Sequence, residues 1–200
     1  MPQSKGAGLD SFAYRRSDLL QTLDVYEIDH PASQRWKRQR VHELGVRIPA
    51  RLHYVPIDFE RQTLTEGLTE GGVNLRAPSF LSWLGVTQYL SADVVLGTLR
   101  EIAGLTANGS QIAFQFVVPP ATLTGEERSL VLDLAAHAAQ VGEPWLSFFE
   151  PVEMESRLRQ MGYANIVQFG AQQATERYLL SRTDGLRLPA YFHMISASVG

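Results

Sequence analysis

Short runs rich in β-branched and aromatic residues alternate along this chain with segments of helical spacing. Helix starts are indicated at Pro31, at Ser91 and at Thr124, which has capping-box spacing with Glu127. Strands that alternate with helices are typical of an α/β protein with a mainly parallel sheet, and the last two runs predict an antiparallel strand at one edge. The predicted strands cover residues 24–29, 51–58, 80–86, 111–118, 164–170 and 190–199.

Length and composition limit the classes of protein to consider. The chain has 200 residues, which predicts a single domain over residues 1–200 with its own core. Its formal net charge of -3 argues against a general nucleic-acid partner, and no apolar run is long enough to span a membrane. It contains no cysteine, which excludes thiolate chemistry and disulfides. We expect a cytoplasmic protein.

A glycine loop and three carboxylates stand at predicted strand ends. The loop Gly6-Ala7-Gly8 would follow a first strand, although residues 3–5 are too polar for one, so that strand is degenerate or missing. Glu27 and Asp29 end the next strand, and Asp58 ends the one after it. Ligands of such sheets bind at the carboxyl ends of the strands. Glycine has no Cβ, so a ligand can approach the backbone of the loop closely. Carboxylates accept hydrogen bonds from ribose hydroxyls and from an adenine amino group. Together these residues predict a nucleoside site.

Two ligand classes fit this layout. A nicotinamide dinucleotide needs G-x-G-x-x-G, and here Ser11 holds the third glycine position. S-adenosylmethionine has no pyrophosphate and does not need that glycine. The loop and the two acidic strand ends therefore favour S-adenosylmethionine over a nicotinamide-dependent oxidoreductase.

Four ordered segments resemble one family. GAGLDSFAYR, VYEIDHPASQRWK, YVPIDF and FLSWLGVTQYLS look like the leucine carboxyl methyltransferase family, within the class I S-adenosylmethionine-dependent methyltransferases. The resemblance extends over nearly the whole chain and includes RYLLSRTDGLRLPAYFHMISA, which is similar to bacterial members that methylate oxygens of small molecules. It implies a Rossmann-like sheet with helices on both faces.

The resemblance also implies roles for individual residues. Gly6 and Gly8 would line the methionine and ribose, Asp29 with Glu27 would hold the ribose hydroxyls, and Asp58 with Phe59 would contact adenine. The segment 83–89 would form a floor near the methyl group. Protein-methylating members carry an acid where this chain has Leu84, which indicates a small-molecule acceptor, either a carboxylate or a hydroxyl.

Family members carry an N-terminal helical lid and a full apolar strand before the glycine loop. The resemblance therefore implies an N-terminally truncated member, and the alternative is a non-catalytic protein that acts through binding or oligomerisation. A central strand lost from a sheet exposes two unpaired edges, so a homo-oligomer is one expectation.

Candidates for the acceptor side follow the third and fourth predicted strands. Tyr89 and His137 are the candidate general bases for a hydroxyl acceptor. Trp145, Phe148 and Phe149 would supply an aromatic wall.

The remaining charged residues give weaker signals. The histidines lack the spacing of metal ligands, so we predict no metal site. The basic run RWKRQR at residues 35–40 is interpreted as a solvated helix face.

Overall fold

The computed structural model describes residues 6–58 and 61–200. Contacts within the chain group it into two compact units, residues 1–74 and residues 75–200. The prediction of a single domain over residues 1–200 is left untested by this grouping.

The first unit contains a parallel two-stranded sheet. Strand β1 pairs with strand β2 in a register that places Glu27 opposite Tyr54 and Asp29 opposite Pro56. The amide of Ile57 donates to the carbonyl oxygen of Asp29 over 2.9 Å, so the pairing continues past the last residue of β2. The elements of this unit are α1 (Phe12–Arg15), a 3-10 turn (Leu19–Gln21), β1 (Val25–Asp29), α2 (Pro31–Glu43), β2 (Leu52–Pro56) and α3 (Leu64–Glu70).

Helices α2 and α3 begin where the sequence places turn and cap signals. Pro31 occupies the first turn of α2, as predicted, and the His30 side chain accepts a hydrogen bond from the amide of Ala32. The polar stretch before the glycine pair at residues 71–72 forms α3, which Gly71 ends. In α3, Gly67 packs directly on the fully buried side chain of Ile57, so the missing Cβ allows close approach of the helix to the residue following β2.

The second unit contains a four-stranded sheet in the order β3-β4-β6-β5. Strand β3 is parallel to β4, whereas β6 is antiparallel to both β4 and β5. The predicted antiparallel pair at one edge is present, with β5 outermost and β6 lying inside it. The elements are β3 (Phe80–Trp83), a 3-10 turn (Thr87–Tyr89), α4 (Ala92–Leu105), β4 (Gln111–Val117), a 3-10 turn (Pro120–Thr122), α5 (Gly125–Gln140), α6 (Pro151–Gln160), β5 (Tyr163–Phe169), α7 (Ala171–Ala174), a π-helical turn (Thr175–Leu179) and β6 (Phe192–Val199).

Aromatic residues of β4 form the centre of this second unit. Phe114 and Phe116 are fully buried, and the ring of Phe116 meets that of Phe149 edge to face at 6.2 Å. The hydroxyl of Tyr163, on β5, donates to the carbonyl oxygen of Leu99, on α4, over 2.8 Å. The buried residues of α4 and α6 complete this core: Val95, Leu96, Leu99, Ile102, Met154 and Leu158.

Three local features differ from, or refine, the sequence prediction. Strand β3 ends at Trp83 rather than residue 86, because Gly85 adopts a positive φ of 71° that no extended strand can continue. The capping box predicted for α5 is wrong, since the Thr124 side chain makes no cap hydrogen bond and Glu127 instead accepts from the amide of Ala190. Strand β5 contains a bulge near Asn165, whose φ is 50°.

Within residues 6–58 and 61–200, no helix combines the length and the apolar character needed to cross a bilayer.

Candidate functional site

The glycine loop is held against the end of strand β1. The amide of Ala7 donates to the carbonyl oxygen of Ile28 over 2.8 Å, and the amide of Gly8 donates to Oδ2 of Asp29 over 2.7 Å. A Cβ on Gly6 would overlap the carbonyl oxygen of Ile28 and lie 2.9 Å from Cα of Asp29. Residue 6 must therefore be glycine for the loop to lie this close to the strand. Residues 3–5, which hold the position of the degenerate or missing first strand, lie outside the described residues.

Asp29 anchors both the glycine loop and the start of helix α2. Its side chain is buried, with the residue 2% exposed. While Oδ2 accepts from the amide of Gly8, Oδ1 accepts from the amide of His30 over 2.7 Å. Hydrogen bonds to a charged group contribute about 1.5–3 kcal/mol each, so this carboxylate fixes the loop strongly.

Glu27 lies two residues before Asp29 and therefore on the same face of β1. It is 6% exposed, and its Oε2 atom lies 2.6 Å from Nζ of Lys37. Burial raises the pKa of the Glu27 carboxyl above its ordinary value, while the ammonium of Lys37 opposes that rise.

Lys37 corrects the interpretation of the basic run as a solvated face. Lys37 is 5% exposed, although Arg35, Arg38 and Arg40 in the same run are exposed. The reason is helical geometry, because Lys37 shares the inward face of α2 with Ser33 and Gln34, which are also buried.

Asp58 follows β2 directly, at the same sheet edge as Asp29. Its Oδ2 atom lies 3.6 Å from Nε of Arg61, and its carbonyl oxygen accepts from the amides of Arg61 and Gln62. Asp58 does not cap helix α3, because Thr63 and Glu66 form a reciprocal capping box there. Phe59, the second predicted adenine contact, lies outside the described residues.

Replacing Thr63 by alanine is expected to lower the free energy of unfolding by about 1 kcal/mol. The Thr63 hydroxyl oxygen accepts from the amide of Glu66 over 3.2 Å, and alanine cannot. Urea unfolding of the two single variants Thr63→Ala and Asp58→Asn gives the loss in free energy of unfolding for each. A larger loss for the Asp58 variant would contradict this assignment of the cap.

The segment 83–89 of the second unit is tied to β4 and to the chain after α5. The Thr87 hydroxyl donates to the carbonyl oxygen of Gln115 over 2.7 Å, and the Ser147 hydroxyl donates to the carbonyl oxygen of Thr87 over 2.9 Å. The amide of Leu146 also donates to the carbonyl oxygen of Gln88 over 2.6 Å. These bonds hold the turn that carries the half-buried Tyr89 in a defined position.

The predicted aromatic wall separates into two parts. Phe149 is buried and belongs to the core against Phe116. Trp145 and Phe148 are half-buried, with ring centroids 6.4 Å apart. The other candidate base, His137, is exposed on the last turn of α5.

The structure adds two residues to the candidate site that the sequence interpretation did not include. Lys37 contacts Glu27, and the Gln34 side-chain amide donates to the carbonyl oxygen of Glu27 over 2.9 Å. A usable signal was the spacing of Ser33, Gln34 and Lys37, which places three polar residues on the helix face turned toward the preceding strand.

Comparison with protein families gives a match to the leucine carboxyl methyltransferase model over residues 5–103. Among curated proteins, the chain is 29% identical over 192 residues to a protein of Bacillus subtilis (strain 168) that carries the name "Putative S-adenosyl-L-methionine-dependent methyltransferase YktD". That alignment covers 96% of this chain and 63% of the relative. The chain thus spans less than two thirds of the length of the first curated relatives that it matches.

Comparison with solved structures gives the fold. The S-adenosylmethionine-dependent methyltransferase SibL, solved in its apo form, superposes with a TM-score of 0.56 at 16% identity, covering 96% of this chain and 48% of SibL. A SAM-dependent methyltransferase of Thermotoga maritima gives a TM-score of 0.56 at 12% identity, covering 100% of this chain and 84% of that one. The predicted α/β fold of class I methyltransferases is confirmed.

Proposed function

Because residues 5–103 of this chain match the leucine carboxyl methyltransferase family, we propose that it is an S-adenosylmethionine-dependent O-methyltransferase. Its acceptor is a carboxylate or hydroxyl of a small molecule. The observation that carries the proposal is the glycine loop fastened to the buried carboxylate of Asp29 at the end of β1.

The residues present fit the nucleoside part of the cofactor. Gly6 lets the loop lie directly against the end of β1, and the buried carboxylates of Glu27 and Asp29 share one face of that strand. Ribose hydroxyls are donors that such carboxylates accept. Asp58, at the adjacent strand end, is the proposed acceptor for the adenine amino group.

When bound, S-adenosylmethionine supplies an activated methyl group. The chain must then bind the nucleoside, exclude water and orient an acceptor oxygen. A carboxylate acceptor is already ionised and needs no base. A hydroxyl acceptor needs a group that takes its proton, for which Tyr89 and His137 are the candidates.

The proposal of a small-molecule acceptor rests on the family resemblance at one position. Protein-methylating members have an acid where this chain has Leu84, which is 46% exposed. An apolar side chain there favours a small, partly apolar acceptor over a charged polypeptide end.

Calorimetric titration of the purified chain with S-adenosylhomocysteine, with NAD as the control, tests the proposed function. Micromolar binding of S-adenosylhomocysteine alone supports it, and methyl transfer to a panel of carboxylic acids and phenols then identifies the acceptor. Binding of NAD alone would favour an oxidoreductase. A folded chain that binds neither would favour a protein that acts without catalysis.

A further inference from the structure

Lys37 makes three interactions inside the first unit, although it belongs to a basic run. Its Nζ atom donates to Oε2 of Glu27 and to the carbonyl oxygen of Asp10, both over 2.6 Å. The same atom lies 5.9 Å from the centre of the Tyr14 ring. Lys37 and Glu27 are both at least nine-tenths buried, so this pair is shielded from the solvent that weakens surface ion pairs.

The two partners of this ammonium belong to different parts of the proposed nucleoside site. Asp10 ends the turn that follows the glycines, where its amide donates to the carbonyl oxygen of Ala7 over 3.0 Å. Glu27 lies on β1, on the face that carries Asp29. The loop is thus fastened to the strand twice, in its middle by Asp29 and at its end by Lys37.

We propose that Lys37 is a positioning residue of the nucleoside site, which fixes the end of the glycine loop relative to the carboxylate of Glu27. The proposal rests on the proposed function, because it assumes that Glu27 accepts a hydrogen bond from the ribose. Among the described residues, Oε1 of Glu27 makes no hydrogen bond, whereas Oε2 is held by Lys37. The ammonium therefore orients the carboxylate and leaves Oε1 for the ligand.

The charge of Lys37 also determines the ionisation of Glu27. Burial, Asp10 and Asp29 all raise the pKa of the Glu27 carboxyl, and Lys37 is the group that lowers it. The Tyr14 hydroxyl, on the neighbouring helix α1, hydrogen-bonds to the Tyr54 hydroxyl and stays neutral because burial raises its pKa. Without Lys37, we expect Glu27 to bind a proton at pH values where the parent chain keeps it ionised.

Calorimetry with S-adenosylhomocysteine tests this with Lys37→Met and with Arg35→Met as the matched control. Arg35 is exposed on the same helix, so both variants lose one positive charge and keep an unbranched side chain. We expect the Lys37 variant to bind roughly 10- to 100-fold more weakly, as for one charged hydrogen bond, and the Arg35 variant to bind like the parent. Equal affinity of both variants would overturn the proposal.

A pH series separates positioning from a merely structural role. The ratio of the affinities of parent and Lys37→Met is measured between about pH 6 and 8, so that titration of the ligand itself cancels. We expect the defect to be largest at low pH and to shrink as the pH rises, because Glu27 loses its proton. Lys37→Arg keeps the charge, and its affinity ratio should not change with pH. A defect that is independent of pH in Lys37→Met would overturn the charge-dependent role.

Removing one member of a buried pair can prevent folding. The double variant Glu27→Gln/Lys37→Met removes both charges, and it is expected to fold and to bind weakly at every pH. Parent-like binding by this variant would overturn the proposal. A parent chain that binds no S-adenosylhomocysteine overturns the proposed function as well, whereas parent binding without a Lys37 effect overturns this inference alone.

Discussion

Replacing Gly6 by alanine is expected to weaken S-adenosylhomocysteine binding about 30- to 700-fold, in a chain that still folds. The new Cβ would overlap the carbonyl oxygen of Ile28 and approach Cα of Asp29, and both are backbone atoms that cannot rotate away. The loop must therefore shift, which breaks the bonds from Ala7 and Gly8 to the strand. One neutral and one charged hydrogen bond together are worth roughly 2–4 kcal/mol, which corresponds to this loss of affinity.

Gly97→Ala is the matched control for this substitution. Gly97 lies within helix α4, and a Cβ there would meet no heavy atom within 4 Å. Alanine is expected to stabilise that helix by up to about 1 kcal/mol and to leave binding unchanged. Calorimetry and thermal unfolding of both variants measure the contrast. An affinity of Gly6→Ala within fivefold of the parent would contradict the role of the loop.

Asp29→Asn is expected to cause the other large effect. Asparagine keeps the size of the side chain but replaces one acceptor oxygen by an NH2 group. Both carboxylate oxygens of Asp29 accept hydrogen bonds from backbone amides, those of Gly8 and His30. In the variant, one of these amides would face the new NH2 group, which is also a donor. We expect the free energy of unfolding to fall by about 1.5–3 kcal/mol and binding to weaken on the order of 100-fold.

Urea unfolding gives the stability change, and titration at low temperature gives the affinity of the folded chain. Asp133→Asn, at an exposed position of α5, controls for the lost charge and should change neither quantity. If Asp29→Asn bound S-adenosylhomocysteine as tightly as the parent, the nucleoside site would not be at this strand end.

Features set by neighbouring residues were predictable from the sequence. The start of α2 at Pro31 follows from the fixed φ of proline, and Ser91 caps α4 by accepting from the amide of Val94. The positions of Asp29 and Asp58 at one sheet edge follow from the parallel pairing of two consecutive strands. The spacing of apolar residues and the local helix-cap signals therefore predict where the candidate carboxylates lie.

Features that depend on distant partners were not predictable in the same way. The burial of Lys37 depends on Glu27 and on the carbonyl of Asp10, 27 residues away in sequence. Glu127 has the spacing of a capping box, but its carboxylate accepts from Ala190 instead, 63 residues away. A lysine in a basic run and a glutamate in a first helical turn resemble solvated residues until the fold supplies these partners.

The bulge in β5 has a consequence for how the molecule behaves in concentrated solution. As the outermost strand of its sheet, β5 could offer unpaired backbone groups to another polypeptide. The register shift between Ala164 and Val167, with Asn165 in a left-handed conformation, interrupts the regular spacing of those groups. The backbone itself therefore hinders the pairing of a further strand along this edge, which protects this side of the sheet from aggregation.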